Sequence, residues 1–546
     1  MKNYKKVYAA FILAGGLILH GCNGIFDDLA INPNQPSMGA YFTSPSAVND
    51  AVMTMYGYMS TQRCLGASGS KTTIIRSDEA SSNSDYGKPG MFGADLNASY
   101  YTIEQPYTLM YTTASQASYI IETAPSVDFS GNEELRNAYM GEAYFWRAFA
   151  HYYLLINFRN ISPIRQMPRN GDDYVRPLEK PAAVWNFIQE DLAHAKELLP
   201  VKGYWDSKNA GRVTKASAAA LLGKAYLYRS GIEQYYGEDK TTFYSEAAKE
   251  FGDVIDGKYG TYDLTKNYAD NFDVAHENNE ESILEFQFLG DVDNAGFNPG
   301  LATSGLAFDS RGLMLPGAGV GYEGVVHNWL YNAFVNSVDK DGYTDIRMFS
   351  TMIFNDLDAS IHLRNDAGGN PVRLEGPGGY KWEELYPAKN GKEGFATVSN
   401  PLAHSFKAGI RKGIDCSMPT QTEADGTPKL VGVGAGVKEY VYNQPRAHGV
   451  NWRYIRYADV LMMYAEAIVS GGTQASNMTP LQAVNKVRGR VNMSELPSVT
   501  MTDIQNERIL EFALEGHRFY DLLRWGKLAS RFTELQESDP NFKKFI

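Results

Sequence analysis

The chain of 546 residues is poor in the groups that bind metals and form disulfides. It has three cysteines, Cys22, Cys64 and Cys416, too far apart for a Cys-x-x-Cys pair. No cysteine and histidine cluster has the spacing of a metal site, so we predict no metal and no cofactor. Cys64 and Cys416 either form one long-range disulfide or stay as two small buried side chains, and we favour the second.

Positive charge is also in deficit. The chain has 51 basic and 63 acidic residues, a net charge of −12. Residues 1–21 contain three lysines and no acid, so their removal would lower the net charge from −12 to −15. An acidic surface repels phosphate backbones, and we therefore exclude nucleic acid as a partner.

Long apolar runs are scarce, and the one at the amino terminus is informative. Three lysines precede an apolar run at 7–19, which ends in Leu19 and is followed by His20, Gly21 and then Cys22. The run is shorter than the ~20 residues that span a bilayer as a helix. We predict a lipoprotein signal at 1–21, cleaved before a lipidated Cys22, whose acyl chains tether the protein to a membrane. The alternative is an ordinary secretory signal with an incidental cysteine. Residues 22–45, rich in Asn, Pro, Gly and Ser, are predicted to be a lipid-anchored linker.

From about residue 46 the apolar pattern is helical and comes in pairs. Residues 220–228 alternate small and large side chains, Gly231 is predicted to end that helix, and 244–251 begin a second one with the same pattern. Similar pairs occur at 143–156 with 184–199 and at 464–467 with 481–484. This is typical of tetratricopeptide-like hairpins stacked into a superhelix, and the alternative is a bundle of unrelated helices.

Two long stretches lack this period. Residues 76–102 and 290–449 are rich in Gly, Pro, Asn and Ser but also carry many aromatic residues. Their aromatic content argues against disorder, and long loops in compact proteins are usually functional.

The carboxyl-terminal residues 507–526 contain the pattern E-R-x-x-E-F-x-x-E-G-x-R-x-x-D-L-x-R-W. Together with 451–467 and 487–490, and with 142–148 and 191–200 in the amino-terminal half, this pattern resembles the SusD/RagB family of Bacteroidetes outer-membrane lipoproteins. The resemblance covers essentially the whole chain. The charges of the signature recur every three or four residues, which predicts one helix carrying paired opposite charges in a packing role rather than a catalytic one.

The resemblance implies a mainly α, SusD-like helical-repeat fold. It also implies a surface glycan-binding subunit that works with a SusC-like TonB-dependent transporter, anchored in the outer membrane and facing the cell exterior. We divide the chain accordingly into an amino-terminal helical region at 46–289 and a carboxyl-terminal region at 290–546. The latter comprises a loop-rich ligand-binding segment at 290–449 and closing helices at 450–530.

Sugar binding requires flat aromatic rings beside polar groups, because a pyranose offers an apolar face and a ring of hydroxyls. The irregular stretches supply seven candidate ligand-binding residues: Arg76, Asp78, Asn97, Tyr100, Tyr101, Tyr322 and Trp382. The alternative is that each of these side chains only packs against its own loop. Trp185 and Trp329 have helical surroundings and are predicted to be core residues.

Catalytic motifs are absent from the sequence. The Gly-rich run at 319–324 is not preceded by a strand pattern, and His276-Glu277 lacks the second histidine of a zinc protease. Carboxylate pairs such as Asp78-Glu79 leave a glycoside hydrolase as one alternative. A peptide-capturing relative is the other. The preferred prediction is a non-catalytic protein that binds oligosaccharide or polysaccharide.

Overall fold

The computed structural model describes residues 42–81, 97–167, 175–288, 325–356, 358–373, 407–412, 424, 430–432, 438–440 and 450–539. The predicted signal peptide, Cys22 and most of the linker lie outside these ranges, as do Tyr322, Trp382 and Cys416. Within the described ranges, no helix is both long and apolar enough to span a membrane.

The described chain is mainly helical, which confirms the predicted fold class. The helices are α1 Pro45–Ser60, α2 Ser70–Ile75, α3 Tyr101–Thr123, α4 Glu133–Phe158, α5 Pro181–Leu198, α6 Lys215–Tyr236, α7 Tyr244–Ile255, α8 Asn328–Val335, α9 Arg347–Thr351, α10 Tyr457–Val469, α11 Pro480–Arg490, α12 Met501–Glu511, α13 Arg518–Arg524 and α14 Leu528–Ser538. A π-helical segment, Gln62–Gly69, joins α1 to α2.

The strands are short. They are β1 Ala80–Ser81, β2 Ser282–Phe286, β3 Val325–Val326, β4 Met352–Phe354, β5 Ala408–Ile410, β6 Leu430–Gly432, β7 Lys438–Tyr440 and β8 Trp452–Arg456. The first of three antiparallel sheets has the order β1-β3-β5-β4, and the other two pair β2 with β8 and β6 with β7.

The predicted helix pairs pack against each other as antiparallel neighbours along the chain. Helix α4 packs on α5, α6 on α7 and α10 on α11, while α7 also packs on α10 and so joins the two halves. Gly223 in α6 explains one close approach, because a Cβ there would lie 2.7 Å from the Phe251 ring in α7. Large rings on α4, such as those of Phe145 and Trp146, are buried in the core, with 0% and 1% of the residue exposed.

Gly231 does not end α6, contrary to the prediction. The helix continues to Tyr236 and ends at Gly237, which adopts the left-handed conformation with φ 70°. Gly231 instead sits where α13 crosses α6. A Cβ at Gly231 would lie 2.3 Å from the carbonyl oxygen of Arg524, so the glycine is needed for interhelical approach rather than for termination.

The carboxyl-terminal signature is not one helix, which corrects a second prediction. Helix α12 ends at Glu511, and a turn at 512–517 separates it from α13. Leu514 and Gly516 in this turn both have positive φ, 62° and 84°. The signature charges therefore do not pair along one helix face. Most of them reach partners in other segments.

The charges of the signature form a buried ionic network. Arg456 lies at its centre, with Nη1 2.7 Å from Glu281 Oε1 and 2.6 Å from Glu511 Oε1. Its Nε lies 2.9 Å from Glu515 Oε2. Burial alone would raise the pKa of Glu511, but nearby guanidinium groups, including that of Arg456, hold it well below its usual value. The predicted packing role of these residues agrees with their burial.

Two smaller predictions concern buried side chains. Trp185 is fully buried, as predicted, and donates its indole N–H to Glu233 Oε1 over 2.7 Å. Cys64 is a free, fully buried cysteine, which agrees with the favoured alternative for that residue.

Candidate functional site

The four-stranded sheet joins the ends of three segments that the sequence assigns to ligand-binding loops. Strand β1 ends at Ser81, just before residues 82–96. Strand β3 begins at Val325, just after 289–324, and β5 follows 374–406 closely. Ser81 pairs with Val325, and Val326 pairs with Ala408, so neighbouring strands lie about 4.8 Å apart. We call Arg76–Ser81 with Val325–Trp329 the loop root.

Asp78 lies inside the loop root and is fully buried. Its Oδ1 accepts a hydrogen bond from Arg518 Nε over 2.9 Å, and its Oδ2 accepts one from Arg531 Nε over 2.8 Å. Although burial alone would raise the pKa of Asp78, the two guanidinium groups hold it below its usual value. The carboxylate of Asp78 therefore anchors the loop root in the described structure, through its pairs with Arg518 and Arg531.

The indole of Trp329 completes this anchor. It lies half-buried in α8 rather than deep in the core, and its Nε1–H donates to the backbone oxygen of Asp78. The guanidinium groups of Arg518 and Arg531 lie 5.3 Å and 4.5 Å from the ring centroid. The root of the loops is therefore fixed by residues of α8, α13 and α14.

Glu79 and His327 also lie in the loop root, where burial shifts their pKa values in opposite directions. Burial raises the pKa of Glu79 to about 8, although the backbone N–H of Leu514 donates to its Oε1 over 3.0 Å. Burial lowers the pKa of His327 to about 4, and its Nε2 lies 2.6 Å from Ser81 Oγ. At neutral pH both side chains are mainly uncharged, as their burial requires.

Arg76 is half-buried at the edge of the loop root. Its Nη1 donates to Asn157 Oδ1 over 2.8 Å, and its guanidinium carbon lies 3.7 Å from the centroid of the Phe519 ring. These contacts hold Arg76 against α4 and α13. The described structure therefore uses it to position the loop.

Asn97, Tyr100 and Tyr101 lie at the other end of the 82–96 segment. Asn97 is exposed, and its Oδ1 accepts a hydrogen bond from the backbone N–H of Ser99 over 3.0 Å. Tyr100 is half-buried at the N-cap of α3, and Tyr101 is the first helical residue. The side chain of Tyr101 lies outside the described structure. Asn97 and Tyr100 are thus nearer to the surface than Asp78.

Tyr107 and Phe158 are two aromatic residues in contact that were not among the predicted candidates. Tyr107 in α3 is 39% exposed, and its ring lies 4.9 Å from that of Phe158 at the end of α4. Tyr107 follows Tyr101 by about 9 Å along the helix axis. The sequence signal for Tyr107 is its position in the second turn of a helix that follows an irregular stretch.

One group of side chains has the composition of a metal site. Donor atoms of Asp270, Asp273 and His276 lie within 4.8 Å of one another near the surface. His276 Nδ1 lies 2.8 Å from Asp273 Oδ2, and this hydrogen bond is the main cause that raises the pKa of His276. The same aspartate caps the backbone N–H groups of Ala275 and His276. These contacts explain the cluster as a local turn, so we assign no metal to it.

The paired helices, together with the sheet of the loop root, define a helical-repeat protein. Residues 421–545 match the sequence model described as SusD family, and residues 31–227 match the one described as "Starch-binding associating with outer membrane". The chain belongs to the SusD/RagB family.

Individual relatives share this architecture along almost the whole chain. A SusD-like protein of Bacteroides ovatus is 25% identical over 96% of this chain and 83% of its own length. A SusD superfamily protein from Bacteroides vulgatus has a TM-score of 0.65 at 22% identity, covering 92% of both chains. The surface glycan-binding protein A from Bacteroides thetaiotaomicron, solved with laminarihexaose, has a TM-score of 0.63 at 20% identity, covering 89% of this chain and 91% of its own.

Proposed function

We propose that this protein is a surface glycan-binding lipoprotein that captures oligosaccharide or polysaccharide without catalysis. It delivers the glycan to a SusC-like TonB-dependent transporter in the outer membrane. The observation that carries the proposal is the convergence of three loop ends on one sheet, in a chain whose loops are rich in aromatic residues. Such an arrangement presents loop side chains together on a stiff frame.

The chemistry of the loop root supports binding rather than hydrolysis. A glycosidase needs two carboxyl groups facing the scissile bond across a gap of at least about 5 Å. Asp78 and Glu79 are both buried, and Asp78 is held by two arginines. The adjacent carboxylates that the sequence offered as a catalytic pair therefore fit an anchoring role.

Similar proteins support carbohydrate as the ligand class. A laminarin-binding SusD-like protein and a glycan-binding protein solved with laminarihexaose share this fold at TM-scores of 0.61 and 0.63. The family description of residues 31–227 supports association with the outer membrane. The predicted signal at 1–21 and lipidation of Cys22 supply the tether in this proposal.

The proposal is tested with protein lacking residues 1–22 on a panel of immobilised polysaccharides and oligopeptides. We expect saturable binding to at least one polysaccharide, with no release of reducing ends. Tyr322→Ala and Trp382→Ala should each weaken this binding at least about fivefold, because truncating an aromatic ring that anchors a ligand costs more than about 1 kcal/mol.

Tyr235→Ala is the matched control, because this tyrosine is 38% exposed at the end of α6 and is not part of the loop root. It should leave glycan binding unchanged. Binding of oligopeptides in preference to every polysaccharide would replace the proposal with peptide capture. Release of reducing ends that one carboxylate substitution abolishes would replace it with a glycosidase.

A further inference from the structure

A pocket among the repeat helices contains a hydrogen-bond acceptor that the described structure leaves unsatisfied. The pocket has a volume of about 210 Å³ and lies among α6, α7, α10, α12 and the end of α13. Its walls include Leu227, Tyr244, Glu466, Met501, Gln505 and Trp525. It is at the opposite end of α13 from Arg518 and is thus separate from the loop root.

Glu466 provides the unsatisfied acceptor. The residue is 2% exposed, and its Oε1 accepts the indole N–H of Trp525 over 2.9 Å and pairs with Arg524. Its Oε2 is buried and accepts no hydrogen bond from any described residue. Leaving a buried acceptor without a donor costs about 1–3 kcal/mol, so this oxygen favours a ligand that brings a donor.

The charges of the pocket favour a neutral ligand. Glu466 and Arg524 are its charged wall residues, and they pair with each other. An ion entering the pocket would lose its hydration without meeting an uncompensated opposite charge. The other polar walls are neutral and comprise the amides of Gln234 and Gln505 and the hydroxyls of Ser470 and Tyr244.

The size of the pocket and its aromatic walls further restrict the class of ligand. An apolar cavity of about 150 Å³ takes up benzene, so 210 Å³ is sufficient for one six-membered ring with polar substituents. Trp525 is half-buried and offers a flat ring beside the acceptor. An apolar ring face with hydroxyls at its edge matches this combination of walls.

We infer that this pocket binds one neutral sugar ring. A ring hydroxyl donates to Glu466 Oε2, and the C–H face of the sugar packs on Trp525. The choice of a sugar among neutral polyols rests on the proposed function, whereas the pocket itself is independent of the loops. The site therefore adds a second, single-ring subsite to a protein whose main glycan surface is proposed elsewhere.

The test follows the indole N–H signal of Trp525 by NMR in the protein lacking residues 1–22, with the signal assigned by Trp525→Phe. Glucose, galactose, mannose and xylose are titrated separately. We expect at least one sugar to shift this signal saturably. Met501→Phe narrows the pocket and should weaken that binding at least fivefold.

The matched control is Met53→Phe, because Met53 is 42% exposed on α1 and does not line the pocket. It should leave the titration unchanged. Glu466→Gln removes the charged acceptor and should weaken binding at least fivefold. Its unfolding midpoint is measured alongside, and Met501→Phe keeps the test decisive should the Gln variant not fold.

Two results would overturn the inference: no shift with any of the four sugars, or a saturable shift with guanidinium or methylammonium only. Binding of Met501→Phe to immobilised polysaccharide separates this inference from the proposed function. If the protein binds polysaccharide but no sugar shifts the Trp525 signal, only the inference about the pocket is rejected. If a sugar shifts the Trp525 signal but the protein binds no polysaccharide, only the proposed function of the loops is rejected.

Discussion

The amino-terminal helix pairs and the carboxyl-terminal signature are both buried, but by different chemistry. Helix α4 buries alanines and aromatic rings such as Phe145 and Trp146, and it packs on α5, its neighbour in sequence. The signature buries arginines and acids, and its Arg518 reaches Asp78 across 440 residues. Helices that follow each other pair mainly through complementary shape, although α4 and α5 also share one buried ion pair, Arg147 with Asp191. Where segments are far apart in sequence, buried charges also determine which segments pair, because a buried ion is stable only with its counter-ion.

The largest effect is expected from removing the central cation. Arg456→Met leaves Glu281, Glu511 and Glu515 without their shared counter-ion in the interior, so we expect a loss of about 3–5 kcal/mol in the free energy of unfolding. Urea unfolding followed by circular dichroism measures it. Arg136→Met, which breaks an exposed pair with Glu133 on α4, should cost less than about 1 kcal/mol. Equal losses in the two variants would show that burial of the ion pairs makes no difference to their contribution to stability.

An intermediate effect is expected from Glu79, a buried acid whose pKa is raised rather than lowered. Its folded-state pKa is about 8 against an ordinary value of 4.5. Between these values the unfolded chain releases a proton that the folded chain retains, so stability falls as pH rises and levels off above pH 8. One such group contributes up to about 1.4 kcal/mol per pH unit.

Glu79→Gln cannot ionise and should remove that part of the pH dependence. Urea unfolding at several values between pH 5 and 9 provides the measurement, and the variant should gain stability relative to the native chain as the pH rises. Glu537→Gln, at an exposed position in α14, serves as the control and should follow the native profile. Parallel profiles for the native chain and Glu79→Gln would show that Glu79 is charged in the folded state.

The smallest effect is expected where shape alone decides the packing. Gly231→Ala adds a methyl group 2.3 Å from the Arg524 carbonyl oxygen, and we expect a loss of about 1–3 kcal/mol as α13 shifts from α6. Gly57→Ala in α1 meets no atom within 4 Å and should instead stabilise the protein by about 0.5–1 kcal/mol through helix propensity. Thermal unfolding of the two variants should therefore shift in opposite directions.

The same contrast explains which features the sequence could predict. The helix pairs follow from a local period, and their packing places Gly223 against Phe251 as small and large residues require. The break in the signature was missed because the helical charge spacing continues through 512–517. What interrupts the helix is a contact across the fold, in which the Leu514 N–H donates to Glu79. The one local signal for the break was Gly516, which adopts φ 84° in the turn.

The candidate site likewise has features that the sequence could predict and features that it could not. Sequence composition identified two irregular stretches, and the structure brings the ends of three segments from them to one sheet. Asp78 looked like an exposed polar residue because its neighbours in sequence are polar. Its burial depends on Arg518 and Arg531, more than 400 residues later. The pocket around Glu466 was equally invisible, since its walls come from five separate helices.

The pairing of Asp78 with Arg518 and Arg531 also imposes an order on biogenesis. Ribosomes make the chain from its amino terminus, so Asp78 is synthesised long before either arginine exists. Until the final helices arrive, its carboxylate has no counter-ion from them and must stay hydrated. A truncated product lacking α13 and α14 would consequently retain most repeat helices yet never close the base of its loops, which couples completion of translation to assembly of the presenting surface.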